Sequence, residues 1–330
     1  MEYTNIAGTD IIVSRIGLGS QPIGYHEKRS GIETVHKALE EGITLIDVAP
    51  VYGKGRSEEI VGDALKEYDR EEFVVATKTG LDYENDTVRN GTPKRILKDI
   101  ETSLKRLNTD YVDVLHVHWP DPLHPLRDTA RTIKDLQREG KVRAIGVSNF
   151  NVEQIEEFSR ETEVNTCQMP YNIFERKYED DVLPFCKKNN ITFLAYRSLC
   201  QGLLTGKLLP DAEYSEHSVK KDDPKFRPSR YQQYLEAVEK LSRMAEEHNR
   251  KLIDVAIQWI LDNKNSVALW GAWKPEYLNE VNDVLGQKLD PSIREDIDRI
   301  LEETIKDPVG PEFLEPPTRD FAQIGSREET

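Results

Sequence analysis

Short apolar runs of strand length alternate along most of this chain with stretches whose apolar residues recur at three and four positions. Runs at 15–19, 45–48, 73–78 and 112–117 predict four strands, and runs at 143–148, 166–168, 192–196 and 267–270 predict four more. Near-continuous apolar character over so few residues suits strands buried on both faces. The gaps carry helical signals. Ile96, Ile100 and Leu104 keep helical spacing behind Thr92-Pro93, an N-cap followed by proline at the first helical position. Asn151-x-x-Gln154 reads as a capping box, and Leu252, Val255, Ala256, Trp259 and Ile260 mark an apolar face before the last strand. Eight strand–helix units predict an α/β fold of the (β/α)8 TIM-barrel class; a doubly wound sheet also alternates, but eight regular units favour closure.

Three segments stand outside that rhythm. Residues 1–13, with Gly8-Thr-Asp10 between two short runs, predict a β-hairpin that plugs the barrel bottom. Residues 208–230, rich in Pro, Asp, Lys and Ser, are too long for an ordinary connection and read as a functional loop that covers bound cofactor. From Asp307 onward Pro308, Pro311, Pro316 and Pro317 predict an extended, weakly structured tail. The expectation is one domain over 1–330: a hairpin (1–13), a barrel (14–306) and a tail (307–330).

Charge narrows the partners. With 60 acidic against 45 basic residues the net charge is −15, which argues against nucleic acid or an anionic membrane. No apolar stretch is long enough to span a bilayer, and Met1-Glu-Tyr-Thr-Asn has neither a basic nor an apolar leader region. Cys167, Cys186 and Cys200 are odd in number and lack C-x-x-C spacing, so a cytoplasmic setting is expected.

The chemistry gathers where three of the runs end. Asp47 and Tyr52 follow the second run, Lys78 closes the third and His118 the fourth. Polar groups at C-terminal strand ends are where barrels of this class do chemistry. A phenol is a poor acid, with a reference pKa of about 10. An ammonium at Lys78 would stabilise the Tyr52 phenolate, Asp47 would hold that ammonium, and His118 would align a substrate oxygen. Together they suit protonation of an alkoxide formed by hydride addition to a carbonyl. Each residue alone has a plain structural reading as cap, edge charge or core packing. Four at equivalent strand ends favour catalysis.

These residues carry a specific resemblance. Asp47-Val-Ala-Pro-Val-Tyr52-Gly53, Ala76-Thr-Lys78-Thr79 and Tyr111-Val-Asp113 running to His118 resemble the motifs of the aldo-keto reductases over nearly the whole chain. Ala268-Leu-Trp-Gly-Ala272 and Asp307-Pro-Val-Gly-Pro-Glu-Phe313 are similar to a bacterial general-stress branch of that family. The resemblance implies a tetrad of Asp47, Tyr52, Lys78 and His118, with Tyr52 as general acid. It implies a nicotinamide cofactor held without a Gly-x-Gly-x-x-Gly loop, through Gly19, Ser148, Asn149 and Gln168. Tyr196 would stack on the nicotinamide, Arg197, Ser198, Gln201 and Gly202 would shape the pyrophosphate loop, and Gly271, Lys274 and Glu280 would meet the adenosine end. Trp273 occupies a position where relatives often place a basic residue, leaving Lys274 as partner for a 2′-phosphate. NADPH is therefore expected, with NADH possible.

Gln21, Tyr25, Val51 and Trp119 are candidate walls for a small aldehyde or ketone. His116-Val-His118 has the spacing of paired metal ligands, but the other histidines miss later strand ends, and no metal is expected. The expected activity is NADPH-dependent reduction of aldehydes or ketones. The alternative is a nucleotide-binding, redox-sensing interaction protein with slow residual reductase activity, as channel-associated relatives of this fold are. Oligomeric state, substrate and direction of flux leave no mark in the sequence.

Overall fold

The computed structural model describes residues 1–84, 86–208, 220–286 and 288–319. The chain opens with an antiparallel hairpin of β1 (Tyr3–Asn5) and β2 (Ile12–Ser14). It continues through β3 (Ile16–Gly19), α1 (Lys28–Glu40), β4 (Leu45–Asp47), α2 (Arg56–Leu65) and β5 (Val74–Thr79). A small hairpin of β6 (Leu81–Asp82) and β7 (Val88–Arg89) precedes α3 (Pro93–Leu107) and β8 (Val112–Val117). Then come α4 (Leu126–Arg138), β9 (Val142–Ser148), α5 (Val152–Ser159), β10 (Thr166–Pro170), α6 (Val182–Lys188) and β11 (Thr192–Tyr196). The last elements are α7 (Pro228–Glu247), α8 (Leu252–Leu261), β12 (Ser266–Gly271) and α9 (Pro291–Thr304).

Strands β3, β4, β5, β8, β9, β10, β11 and β12 are parallel neighbours in that order, and β12 pairs with β3 to close the barrel. All eight coincide with the predicted runs to within two residues at either end. The helix-start chemistry also holds. Thr92 caps α3 by accepting from the Arg95 amide, and Asn151 and Gln154 exchange both bonds of a capping box, at 2.8 and 3.0 Å. Helix α8 departs from expectation. It is buried on nearly all sides, not along one face.

The hairpin does plug the bottom. Ile6, Ile11 and Val13 join Leu45, Val74, Val114, Leu194 and Val267 in one apolar cluster inside the barrel. Successive strand residues alternate in direction, so every second residue lines the interior. On β5 that series is Val74, Ala76, Lys78; on β8 it is Val114, His116 and then His118. An apolar floor thus passes upward into a polar layer along the same strands.

Two expectations about the outlying segments need correction. Residues 209–219 of the expected 208–230 loop lie outside the described residues, but its end does not stay irregular. Pro224–Phe226 forms one turn and α7 starts at Pro228, its proline at a first-turn position where a missing N–H costs nothing. The tail is also better anchored than its prolines suggested. Tyr234 Oη accepts from the Val309 amide at 3.2 Å, Pro317 O accepts from the Arg89 amide at 3.0 Å, and Arg319 pairs with buried Asp121 at 2.7 Å. A short turn, Pro311–Leu314, interrupts its extended course.

Candidate active site

The polar layer is organised around Lys78, which is 1% exposed. Its amine lies 2.8 Å from both Asp47 carboxylate oxygens and 3.1 Å from Val48 O. An ammonium has three N–H donors, and these acceptors use all of them. Gln168 adds a fourth element by donating Nε2 to Asp47 Oδ1 at 2.8 Å. Burial draws the Lys78 pKa below its ordinary value, opposed by the attraction of Asp47.

Tyr52 reaches the same layer from the turn after β4. Backbone geometry fixes it there. Gly53 (φ 59°), Lys54 (φ 54°) and Gly55 (φ 95°) are all left-handed, and a Cβ on Gly53 would stand 2.5 Å from Gly24 O. The turn is therefore clamped against the loop that carries Gln21 and Tyr25. The Lys78 amine lies 5.0 Å from the centre of the Tyr52 ring, and the Tyr52 and His118 rings meet edge to face with centroids 6.0 Å apart. Neither the Tyr52 hydroxyl nor the His118 imidazole hydrogen-bonds to another described residue.

The electrostatics differ from the sequence expectation. Burial, then the charge of Asp47, then Tyr25 raise the Tyr52 pKa well above the ordinary phenol value, where Lys78 was expected to lower it. The ammonium is already neutralised by Asp47, so its pull on the phenol is largely cancelled. Tyr52 thus rests as a protonated donor. His118 is held well below its ordinary pKa by burial, Lys78 and His116, and so rests as a neutral imidazole.

Ser148, Asn149, Gln168 and Tyr196 gather beside this group. Asn149 adopts a left-handed conformation at φ 63°. Its Nδ2 donates to His118 O and Ser148 Oγ, both at 2.9 Å, and its Oδ1 accepts from the Tyr196 hydroxyl at 2.8 Å. Gly19 and Gly271 are register partners on β3 and β12, and their missing side chains notch the rim. A Cβ on Gly271 would meet nothing closer than Pro22 at 4.0 Å. The segment after β11 turns sharply, with left-handed Arg197, Cys200, Gln201 and Gly202. Gln201 Oε1 is buried without a partner in this segment.

Other candidates sit differently from the roles the resemblance implied. Arg197, its side chain 9% exposed, is paired with Glu175 at 3.1 Å and with Asp223, in a cluster completed by buried Lys225. Its guanidinium is engaged by carboxylates instead of standing open at a pyrophosphate loop. Ser198 turns its hydroxyl back to Ala195 O at 2.9 Å. Glu280 pairs at the surface with Lys251 and Lys207 at 3.0 and 3.5 Å. Lys274 has no carboxylate partner among the described residues, and its amine lies 4.5 Å from the ring of Trp273, which stacks on His26 at 3.7 Å. Of the wall residues, Val51 borders a crevice shared with Lys78 and His118. Tyr25 is 42% exposed, and Gln21 and Trp119 are half-buried.

Several supporting residues escaped the sequence reading. Ser20 Oγ donates to Asp47 O at 2.7 Å and is itself met by Ser57. Glu58 accepts from Thr77 at 2.8 Å, one residue before Lys78. His116 packs onto Gly146, with Thr166 Oγ1 2.9 Å from its Nε2, and burial followed by Lys78 pushes its pKa down to about 3. Asp113 of the Tyr111-x-Asp113 motif lies at the barrel bottom, bound to Arg70, Arg143 and the Val75 amide at 2.7–2.8 Å.

Comparison with known proteins follows the same lines. The Aldo/keto reductase family model matches residues 15–302. The chain is 49% identical to the aldo-keto reductase YhdN of Bacillus subtilis, covering 97% of this chain and 99% of that protein. It is 33% identical to the NADH-specific methylglyoxal reductase of Escherichia coli, over 85% and 92% of the two chains. Among solved structures, the glycerol dehydrogenase AKR11B4 from Gluconobacter oxydans superposes with a TM-score of 0.85 at 40% identity, covering 94% of this chain and 98% of that one.

Proposed function

Because the chain belongs to the aldo/keto reductase family and is thereby an NAD(P)H-dependent oxidoreductase, we propose that it reduces small aldehydes or ketones with Tyr52 as proton donor and NADPH as preferred reductant. One observation carries the reading. Lys78 is locked onto Asp47, and the unpartnered, protonated Tyr52 hydroxyl shares the polar layer with Lys78 and the neutral His118 at the end of the barrel where the strands stop.

The residues present fit a nicotinamide cofactor. Ser148, Asn149 and Gln168 offer amide and hydroxyl groups beside the tetrad, the Gly19–Gly271 notch leaves room for a flat ring, and Gln201 Oε1 lacks a partner on the segment after Tyr196. Bound there, the cofactor supplies the hydride. The chain does the rest. His118 positions the carbonyl oxygen, Tyr52 gives that oxygen its proton, and Lys78, held by Asp47, is the ammonium beside the phenolate left behind. The raised Tyr52 pKa keeps the donor loaded in the resting state. Proton loss is favoured only as negative charge builds on the substrate oxygen, which confines the acid step to a bound substrate.

NADPH preference rests on Lys274, a cation without a carboxylate partner beside Trp273. Dissociation constants for NADPH and NADH, measured on the native protein and on Lys274→Ala, test it. A native preference for NADPH that narrows at least tenfold in the variant is expected, and equal native affinities would remove Lys274 from that role. Steady-state NADPH oxidation against a panel of aldehydes and ketones tests the reaction itself. Binding without turnover across the panel would favour the nucleotide-sensing alternative. We read residues 1–13, 14–306 and 307–330 as one functional unit. Three free, buried cysteines suit a reducing cytoplasm.

A further inference from the structure

A cavity of about 330 Å³ lies outside the tetrad, between the turn after Tyr52 and α3. Its volume falls within the range of roughly 300–1,000 Å³ typical of small-molecule sites. Four cations line it: Lys54, Arg95, Lys98 and Arg106. Asp99 and Glu84 are the carboxylates in the wall. In a protein of net charge −15 the lining itself carries more cations than carboxylates, with Asp82 and Glu58 standing behind Arg95 and Arg106.

The cations are not all neutralised. Arg95 is the best compensated: it pairs with Asp99 at 2.5 Å and with Asp82 and Glu84 at 3.5 and 3.6 Å, and only its buried Nε lacks a hydrogen-bond partner. Arg106 bonds Glu58 at 3.1 Å and Tyr83 Oη at 3.2 Å through a single nitrogen, Nη1. Lys98 pairs with Glu84 at the outer lip. Lys54 has no carboxylate within salt-bridge distance among the described residues, and its left-handed turn sets it at the cavity. Local backbone shape serves the arrangement: a Cβ on Gly55 would stand 2.1 Å from the Arg106 guanidinium carbon, so only glycine lets that group lie flat against the chain. The walls reach the chemistry. Tyr83 and Asp99 also border the crevice that holds Lys78 and His118, and Asp99 accepts from Thr79 Oγ1 at 2.8 Å, the residue after Lys78.

We propose that this cavity is a second ligand site, distinct from the cofactor site, that takes a compact dianion of the phosphate or phosphate-monoester class, held by Lys54, Lys98 and Arg106. Guanidinium and ammonium donors around an unfilled recess match the tetrahedral oxygens of such an anion, which forms charge-assisted bonds with them.

The test is equilibrium binding of inorganic phosphate and of phenyl phosphate to the native protein, by calorimetry at constant ionic strength with chloride as counter-anion. It is repeated with saturating NADP⁺ and with Lys54→Gln/Lys98→Gln. Both lysines are at the surface, so the variant should keep the native melting temperature and cofactor affinity. Saturable one-to-one binding of either probe, unaffected by NADP⁺ and at least tenfold weaker in the variant, is expected. If only the ester binds, the ligand is a phosphorylated metabolite; if both bind, free phosphate suffices. No saturable binding, equal binding by the variant, or displacement by NADP⁺ would each overturn the proposal. None of these readouts depends on turnover, so the outcome is separable from that of the carbonyl-reductase reading.

Discussion

The two ends of the barrel each bury a carboxylate against cations, and they put the same chemistry to opposite uses. At the bottom Asp113, fully buried, is surrounded by Arg70, Arg143 and the Val75 amide, and the arginines' remaining donors go to Thr109, Phe73 O, Tyr111 O and Asp10. At the top Asp47 is equally well matched by Lys78 and Gln168, but the pair is flanked by a phenol and an imidazole that bond to nothing else described. A saturated ion cluster can only hold strands in register. A saturated cluster beside unsaturated groups leaves those groups available to an incoming ligand. What separates a structural site from a catalytic one is thus the neighbours left unpaired, not the ion pair itself.

The sharpest way to break that comparison is to remove the unpaired phenol. Tyr52→Phe should lower kcat by about 10²–10⁴-fold, the usual worth of general acid catalysis, while the NADPH dissociation constant and melting temperature stay near native. Turnover within tenfold of native would make Tyr52 a packing residue after all. At the other end, Asp113→Asn removes the buried charge that faces Arg70 and Arg143 and should cost about 3 kcal/mol of stability, read by denaturant titration. The kcat of its folded fraction should remain native. A loss of kcat without loss of stability would show that the bottom cluster reaches the chemistry.

The smallest effect concerns the layer between the two ends. His116 is neutral when folded because burial and Lys78 push its pKa down to about 3, whereas an unfolded imidazole keeps a value near 6.5. The unfolded chain therefore binds more protons between those values, and stability falls as pH drops below about 6.5. His116→Gln should flatten the pH dependence of stability in that window by up to about 1.4 kcal/mol per pH unit. An unchanged slope would place the acid sensitivity elsewhere. The raised Tyr52 and lowered His118 values carry a related expectation for activity. Neither group should titrate between about pH 6.5 and 10, their ordinary values, so neither should bend the reduction rate there.

Legibility in the sequence followed the range of each interaction. Strands buried on both faces announce themselves within six residues, so all eight were found, and β8 and β11 to the residue. Caps are equally local, hence Thr92 and Asn151. The start of α7 was missed because Pro228 and the polar residues around it imitate a loop until Tyr231, Tyr234 and Val238 reveal the apolar stripe. The partners of Arg197, Glu175 and Asp223, were not legible because they lie 22 and 26 residues away, with no local signal to mark them. The sign of the Tyr52 shift failed for a different reason. The sequence names the cation beside the phenol but not the burial that outweighs it, nor how completely Asp47 has already claimed that cation.

The three-point hold on Lys78 has a consequence for an enzyme whose substrates are electrophiles. A free ε-amine near an aldehyde condenses with it to an imine and is lost. Here the nitrogen has no lone pair to offer while it remains an ammonium, and its protons are fixed by two carboxylate oxygens and a backbone carbonyl. The clamp that sets the electrostatics would therefore also shield the lysine from covalent capture by carbonyl compounds that reach it.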